Sequence, residues 1–85
     1  MNRVRYRIEY TTEAVEALAR LPKREADQIT RKVVRLETGL HGDIKRLHGA
    51  DVGFRLRMGN YRILFDVEKD VIVIQNIGHR KEIYD

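Results

Sequence analysis

Apolar and polar positions alternate most strictly across residues 54–65. There Phe54, Leu56 and Met58 are followed, past Gly59-Asn60, by Tyr61, Ile63 and Phe65. A Gly-Asn pair between two alternating runs signals a two-residue β-hairpin turn whose first central residue takes positive φ. That loop length predicts the register: Met58 opposite Tyr61, Arg57 opposite Arg62, Leu56 opposite Ile63, Arg55 opposite Leu64 and Phe54 opposite Phe65. Successive strand side chains point to opposite faces. The six apolar residues therefore share one face, and Arg55, Arg57 and Arg62 share the other.

The remaining pattern supplies two more strands and two helices. Residues 4–10 alternate, with Val4, Tyr6, Ile8 and Tyr10 on one side of a strand and Arg5, Arg7 and Glu9 on the other. Thr12 is placed to cap a first helix, with Glu13 and Glu16 in its positive first turn. Ala14, Leu18 and Leu21 fall at helical spacing along it. Pro22 ends that helix and suits the first turn of a second one over residues 22–37, closed by Gly39. Ala26, Ile29, Val33 and Leu36 form its apolar stripe. Residues 40–53, with three glycines, read as a loop that Ile44 and Leu47 anchor to the core. Residues 71–77 are apolar and β-branched enough for an internal strand, after the turn-like Glu68-Lys69-Asp70.

The order β-α-α-β-β-β predicts an α+β fold, a four-stranded, largely antiparallel sheet with an N-terminal αα-hairpin packed on one face. The other face would then carry the three arginines. The place of the first strand is open, because it fits either edge of the sheet.

Composition narrows the class. A chain of 85 residues, read as one domain over residues 1–85, has a small core, so a partner adds much to its stability. With no cysteine it has no disulfides or zinc-ribbon pattern, which fits a reducing compartment. No apolar run approaches the length of a membrane span and no signal-peptide core follows Met1, so a cytoplasmic location is expected. Net charge is modest at +4, but its placement is uneven. Between Ile44 and Arg62, Lys45, Arg46, Arg55, Arg57 and Arg62 face the single acid Asp51. Such a field suits nucleic acid or an acidic protein partner.

Opposed like charges on a sheet cost roughly 0.2–1 kcal/mol per pair, a cost that Arg57 and Arg62 carry. One reading is a solvated face; the other is a polyanion site, since guanidinium planes match phosphate oxygens two at a time. His79 and Arg80 lie just past the last strand, and Tyr84 lies a few residues further on. A tail folded across the arginine face would add an imidazole and a phenol to it. His41 and His48 lack the spacing and company of metal ligands, so neither a metal nor a cofactor is expected. RNA cleavage by a neighbouring 2′-OH needs a base, cations for the pentavalent phosphate and an acid for the leaving 5′ oxygen. Arginine stays protonated and fills only the middle role. His79 and Tyr84 are the proton-transfer candidates, with Lys81 and Glu82 behind them.

These residues resemble the RelE/ParE superfamily of toxins from toxin–antitoxin pairs. The resemblance runs through Ala17-Leu18-Ala19-Arg20-Leu21-Pro22, Ile44-Lys45-Arg46-Leu47-His48-Gly49, the segment Phe54-Arg55-Leu56-Arg57-Met58-Gly59-Asn60-Tyr61-Arg62, and Gly78-His79-Arg80-Lys81-Glu82-Ile83-Tyr84. It implies a RelE-type mRNA interferase, a ribosome-dependent endoribonuclease that cuts message in the A site and arrests translation. It further implies catalytic roles for Arg57, Arg62, His79, Arg80 and Tyr84, and RNA contacts from Lys45, Arg46, His48 and Arg55. The strand pair in the best-known RelE branch is lysine; Arg55 and Arg57 stand there in this chain, which leaves the general base open between His79 and Tyr84. The implied partners are a cognate antitoxin, the ribosome and mRNA, with no membrane and with oligomers formed only through the antitoxin. The alternatives are a ParE-type, non-enzymatic inhibitor of DNA gyrase and a catalytically weak antitoxin-binding module.

Overall fold

The computed structural model describes residues 5–83. Its elements are strand β1 (Arg7–Tyr10), helix α1 (Thr12–Ala19), helix α2 (Lys23–Val34) with a 3₁₀ turn (Arg35–Thr38), and strands β2 (Asp43–Arg46), β3 (Phe54–Met58), β4 (Tyr61–Glu68) and β5 (Val71–His79). The strands form one five-stranded sheet in the order β1-β5-β4-β3-β2.

Two features depart from the four-stranded, largely antiparallel expectation. First, the sheet is mixed, because β1 pairs parallel to β5 through Arg7–Val71, Ile8–Ile72, Glu9–Val73 and Tyr10–Ile74. The apolar β5 is thus internal, flanked by β4 and β1. Second, residues 43–46 form an edge strand where a loop was expected, pairing antiparallel with β3. Only Ile44 in that run is apolar, too little for a periodic signal, yet one inward side chain is enough to seat a short edge strand.

The central hairpin has the predicted register at all five pairs. Gly59 adopts φ +56, which only glycine takes without strain. Leu56, Ile63 and Phe65 are fully buried, and Phe65 stacks on Phe54 at 5.3 Å between ring centres. Against this face lie Ala14 and Ala17 of α1, Ile29 and Val33 of α2, and Leu36. Both helices therefore cover the same side of the sheet. The αα-hairpin is loose, however: α1 makes its main contacts with β5 rather than with α2.

Local chemistry sets the helix ends. Thr11, one residue earlier than predicted, is the cap of α1, and its hydroxyl accepts the Ala14 amide at 3.1 Å. The same hydroxyl donates to the Gln75 carbonyl at 3.0 Å, tying the helix start to β5. Pro22, at φ −55 and ψ 145, separates the two helices.

Candidate functional site

Cross-strand pairing decides which side chains meet on the face the helices leave bare. Arg57 lies opposite Arg62 on β4 and opposite Asp43 on β2, while Arg55 lies opposite Lys45. Arg55, Arg57, Arg62, Lys45 and Asp43 therefore share one face. The face is less open than three solvated arginines would be: Arg55 is 6% exposed and Arg62 5%. Arg57 keeps a 54% exposed side chain.

Their partners explain the burial. Arg62 Nη1 donates to the carbonyls of Gly59 (2.9 Å) and Tyr61 (3.1 Å), so this guanidinium folds back and clamps the hairpin turn. Asp43 places Oδ1 3.6 Å from Arg55 Nη2 and Oδ2 3.9 Å from Arg57 Nε. One carboxylate thus offsets the repulsion that the opposed arginines would otherwise carry. Asp43 lies just outside the basic stretch beginning at Ile44, and its effect becomes visible only once β2 is known to be a strand.

The tail adds one more cation at the same end. The Arg80 amide donates to the Asn60 carbonyl at 2.7 Å, and Arg80 itself is exposed. Arg57 and Arg62 thus flank the Gly59-Asn60 turn on β3 and β4, the Arg62 guanidinium bonds to it, and the Arg80 backbone amide fastens the tail to it. The turn that follows β5 is closed by the Glu82 and Ile83 amides donating to the His79 carbonyl at 2.8 and 3.1 Å. Ile83 is buried over Gly78, and a Cβ at Gly78 would come within 2.8 Å of Ile83 Cδ1.

Other candidates fall elsewhere. His79 pairs with Tyr61, whose neighbours Ile63 and Phe65 face the helices, so its ring lies on the covered side of the sheet and not with the arginines. It meets Tyr61 edge-on at 5.9 Å. His79 Nδ1 accepts the Lys81 amide at 3.2 Å, which leaves the proton of the neutral ring on Nε2. Arg46 pairs with Phe54 and holds its guanidinium 5.9 Å from that ring, so Lys45 and Arg46 sit on opposite faces. His48 is exposed in the β2–β3 loop. Tyr84 lies outside the described residues. Among the described residues no group of three or more metal-ligating side chains is gathered, and no helix is long and apolar enough to cross a membrane.

An anchor invisible in the sequence holds that loop. Asp66 Oδ1 accepts the Gly53 amide at 2.6 Å, and its Oδ2 accepts Gln75 Nε2 at 3.1 Å. Gln75 is the extra residue of a bulge in β5, since Leu64 pairs with Asn76 and Phe65 with Ile74. Leu47 closes the loop base by donating its amide to the Gly53 carbonyl at 2.8 Å.

A small mixed sheet with helices on one face and arginines on the other is the frame against which known proteins are compared. Residues 4–84 match the family described as the ParE toxin of the parDE type II toxin–antitoxin system. The chain belongs to this family, within the RelE/ParE superfamily, and is a RelE-family toxin of a type II pair. Toxin RelE3 of Methanocaldococcus jannaschii is 46% identical over 43 residues, 51% of this chain and 49% of that protein. That match spans about half the length of the curated relative. Among solved structures, the toxin in the RelB–RelE complex of Methanococcus jannaschii is 30% identical with a TM-score of 0.75, over 91% of this chain and 95% of that one. The RelBE2 complex of Mycobacterium tuberculosis gives 27% identity and a TM-score of 0.79, over 91% and 93% of the two chains. The archaeal RelE–RelB complex of Pyrococcus horikoshii gives 28% and 0.75, over 92% and 98%.

Proposed function

We propose that this toxin is a ribosome-dependent mRNA endoribonuclease, kept inactive by a RelB-like antitoxin. The observation that carries the reading is the placement of Arg57, Arg62 and the Arg80 backbone about one hairpin turn, in a chain whose relatives are RelE toxins. In the reaction the 2′ oxygen attacks the adjacent phosphorus, the P–O5′ bond breaks, and the products are a 2′,3′-cyclic phosphate and a 5′-hydroxyl. Arg57 and Arg80, both exposed, contact the phosphate whose charge grows in the pentavalent state. Arg62 and Arg55 lie beneath as buried positive charge, Lys45 extends the same face, and Arg46, on the Phe54 side, does not join it. Proton transfer falls to Tyr84 rather than to His79, whose ring lies on the covered side of the sheet, away from the arginines. The site needs no metal or cofactor for these steps. Cytoplasmic action follows from a ribosomal target.

Primer extension on programmed ribosomes tests the proposal: new 5′ ends within codons are expected from the antitoxin-free toxin. Arg57→Ala and Arg80→Ala are each expected to lower single-turnover cleavage by about 10²-fold or more with the fold retained. The family description favours a second reading, inhibition of DNA gyrase without catalysis. Intact message together with supercoiling defects in the cell would establish that reading and overturn the first.

A further inference from the structure

The helix-facing side of the hairpin tip holds a cavity apart from the arginines. It has a volume of about 440 Å³ and lies between α2 and the turn, lined by Glu25, Gln28 and Lys32 of the helix and by Met58 and Tyr61 of the strands. The three helix residues fall at i, i+3 and i+7, so they share the stripe of α2 that looks onto the hairpin. Met58 and Tyr61 are paired across β3 and β4, which sets a thioether beside a phenol ring. His79 meets that ring edge-on at 5.9 Å and steadies it. Alternation along the strands puts Arg57 and Arg62 on the opposite face, one residue from Met58 and Tyr61 respectively. Only the Gly59-Asn60 turn separates the two sides. A Cβ built at Gly59 would meet nothing within 4 Å, so that rim is low and open.

We propose that this cavity binds one purine base of the RNA strand whose phosphates lie against Arg57. The proposal rests on the RNA-directed reading and deepens it by naming where a base is held. Glu25 only accepts hydrogen bonds, Lys32 only donates and Gln28 does both, which matches the mixed edge of a nucleobase. A carboxylate in the wall disfavours a phosphate there, so the sugar–phosphate backbone stays on the arginine side. Polar groups along one wall likewise suit a ring with a polar edge better than the aliphatic side chain of a protein partner. The phenol ring and its neighbouring thioether supply the other requirement, a surface on which a base stacks. The volume falls in the range of small-molecule sites and admits a two-ring base. A strand bending over the low rim at Gly59 therefore places a phosphate and a neighbouring base on opposite sides of one hairpin.

The test compares the affinity of the purified, antitoxin-free toxin for short fluorescein-labelled oligouridylates carrying either adenosine or an abasic residue at one central position. The adenine-bearing RNA is expected to bind about five- to tenfold more tightly, the low end for stacking on a single aromatic ring. A 2-aminopurine at the same position is expected to lose fluorescence on binding. Tyr61→Leu is expected to bring the ratio of the two affinities below about twofold and to abolish that quenching. A general loss of structure or charge would instead weaken both RNAs alike and leave the ratio. Gln28→Leu, at an exposed helix position, is the second variant if the ring is needed for folding, and it is expected to lower the ratio about twofold through one lost hydrogen bond. Equal affinities for the two RNAs in the unsubstituted toxin, or a ratio that survives both substitutions, overturns the proposal. So does a Gln28→Leu toxin that binds antitoxin more weakly and both RNAs unchanged, which would give the cavity to a protein side chain. Ribosomal cleavage is read in parallel: a purine preference without cleavage removes the nuclease reading and keeps the pocket, and cleavage without the preference removes the pocket alone.

Discussion

Gly78 and Ile83 make a contact whose energy is separable by mutation. Gly78 sits in β5 opposite Arg62, and an added Cβ would stand 2.8 Å from Ile83 Cδ1 and 3.1 Å from Cγ1. Gly78→Ala therefore expels or reorients Ile83, a residue only 8% exposed in the native tail. Overpacking costs about 1–3 kcal/mol, and the obstacle here is the tip of a side chain, so the lower half of that range, about 1–2 kcal/mol, applies. Ile83→Ala alone forfeits roughly 1.5–2.5 kcal/mol of apolar burial. In the double variant the new methyl has nothing to strike, and replacing glycine recovers chain entropy worth about 0.4–1 kcal/mol. The two changes should then couple by about 1–2 kcal/mol in a urea-unfolding double-mutant cycle. Since the same turn carries Arg80, Gly78→Ala should also impair toxicity more than its loss of stability accounts for. Costs that add within about 0.5 kcal/mol would refute the contact as the cause.

Three further outcomes are expected. Asp66→Asn weakens a charge-assisted bond to the Gly53 amide and should cost about 1.5–3 kcal/mol, with faster hydrogen exchange at Gly53; unchanged protection there would refute the anchor. Lys69, exposed in the β4–β5 turn at φ +57, should give about 0.5–1 kcal/mol of added stability as Lys69→Gly, read as a higher urea midpoint at unchanged slope. Burial raises the Tyr10 phenol above its ordinary value, so the native state holds that proton more firmly than the unfolded chain. That contribution is complete below the unfolded value near pH 10 and fades as pH rises through the raised one, and Tyr10→Phe should show a shallower alkaline loss in thermal melts.

What could be read in advance follows from which interactions are local. The 54–65 hairpin was legible to the residue, because its turn chemistry and alternation are contained in twelve consecutive positions. The helical stripe Ala26, Ile29, Val33 and Leu36 was equally plain; the last three are fully buried and Ala26 is half-buried. β2 was hidden because its partners lie on a separate strand beyond an irregular loop and Ile44 is its one apolar residue. The parallel union of β1 with β5 joins the two ends of the described chain, and no local pattern encodes it. The arginine face was visible as a face, but its burial was not. Arg62 turns to backbone carbonyls and Arg55 to an acid on a strand that had read as loop. His79 was misplaced for a related reason: β5 extends through it, so pairing with Tyr61, rather than a free loop, decides its side.

The parallel joint between β1 and β5 also bears on how the toxin is made. Residues 7–10 leave the ribosome long before residues 71–74, the only strand they pair with. Until that late segment emerges, Tyr6, Ile8 and Tyr10 have no sheet to cover them, and closing so long a loop is slow. Of the described strands, the first in the chain therefore waits unpaired for the last.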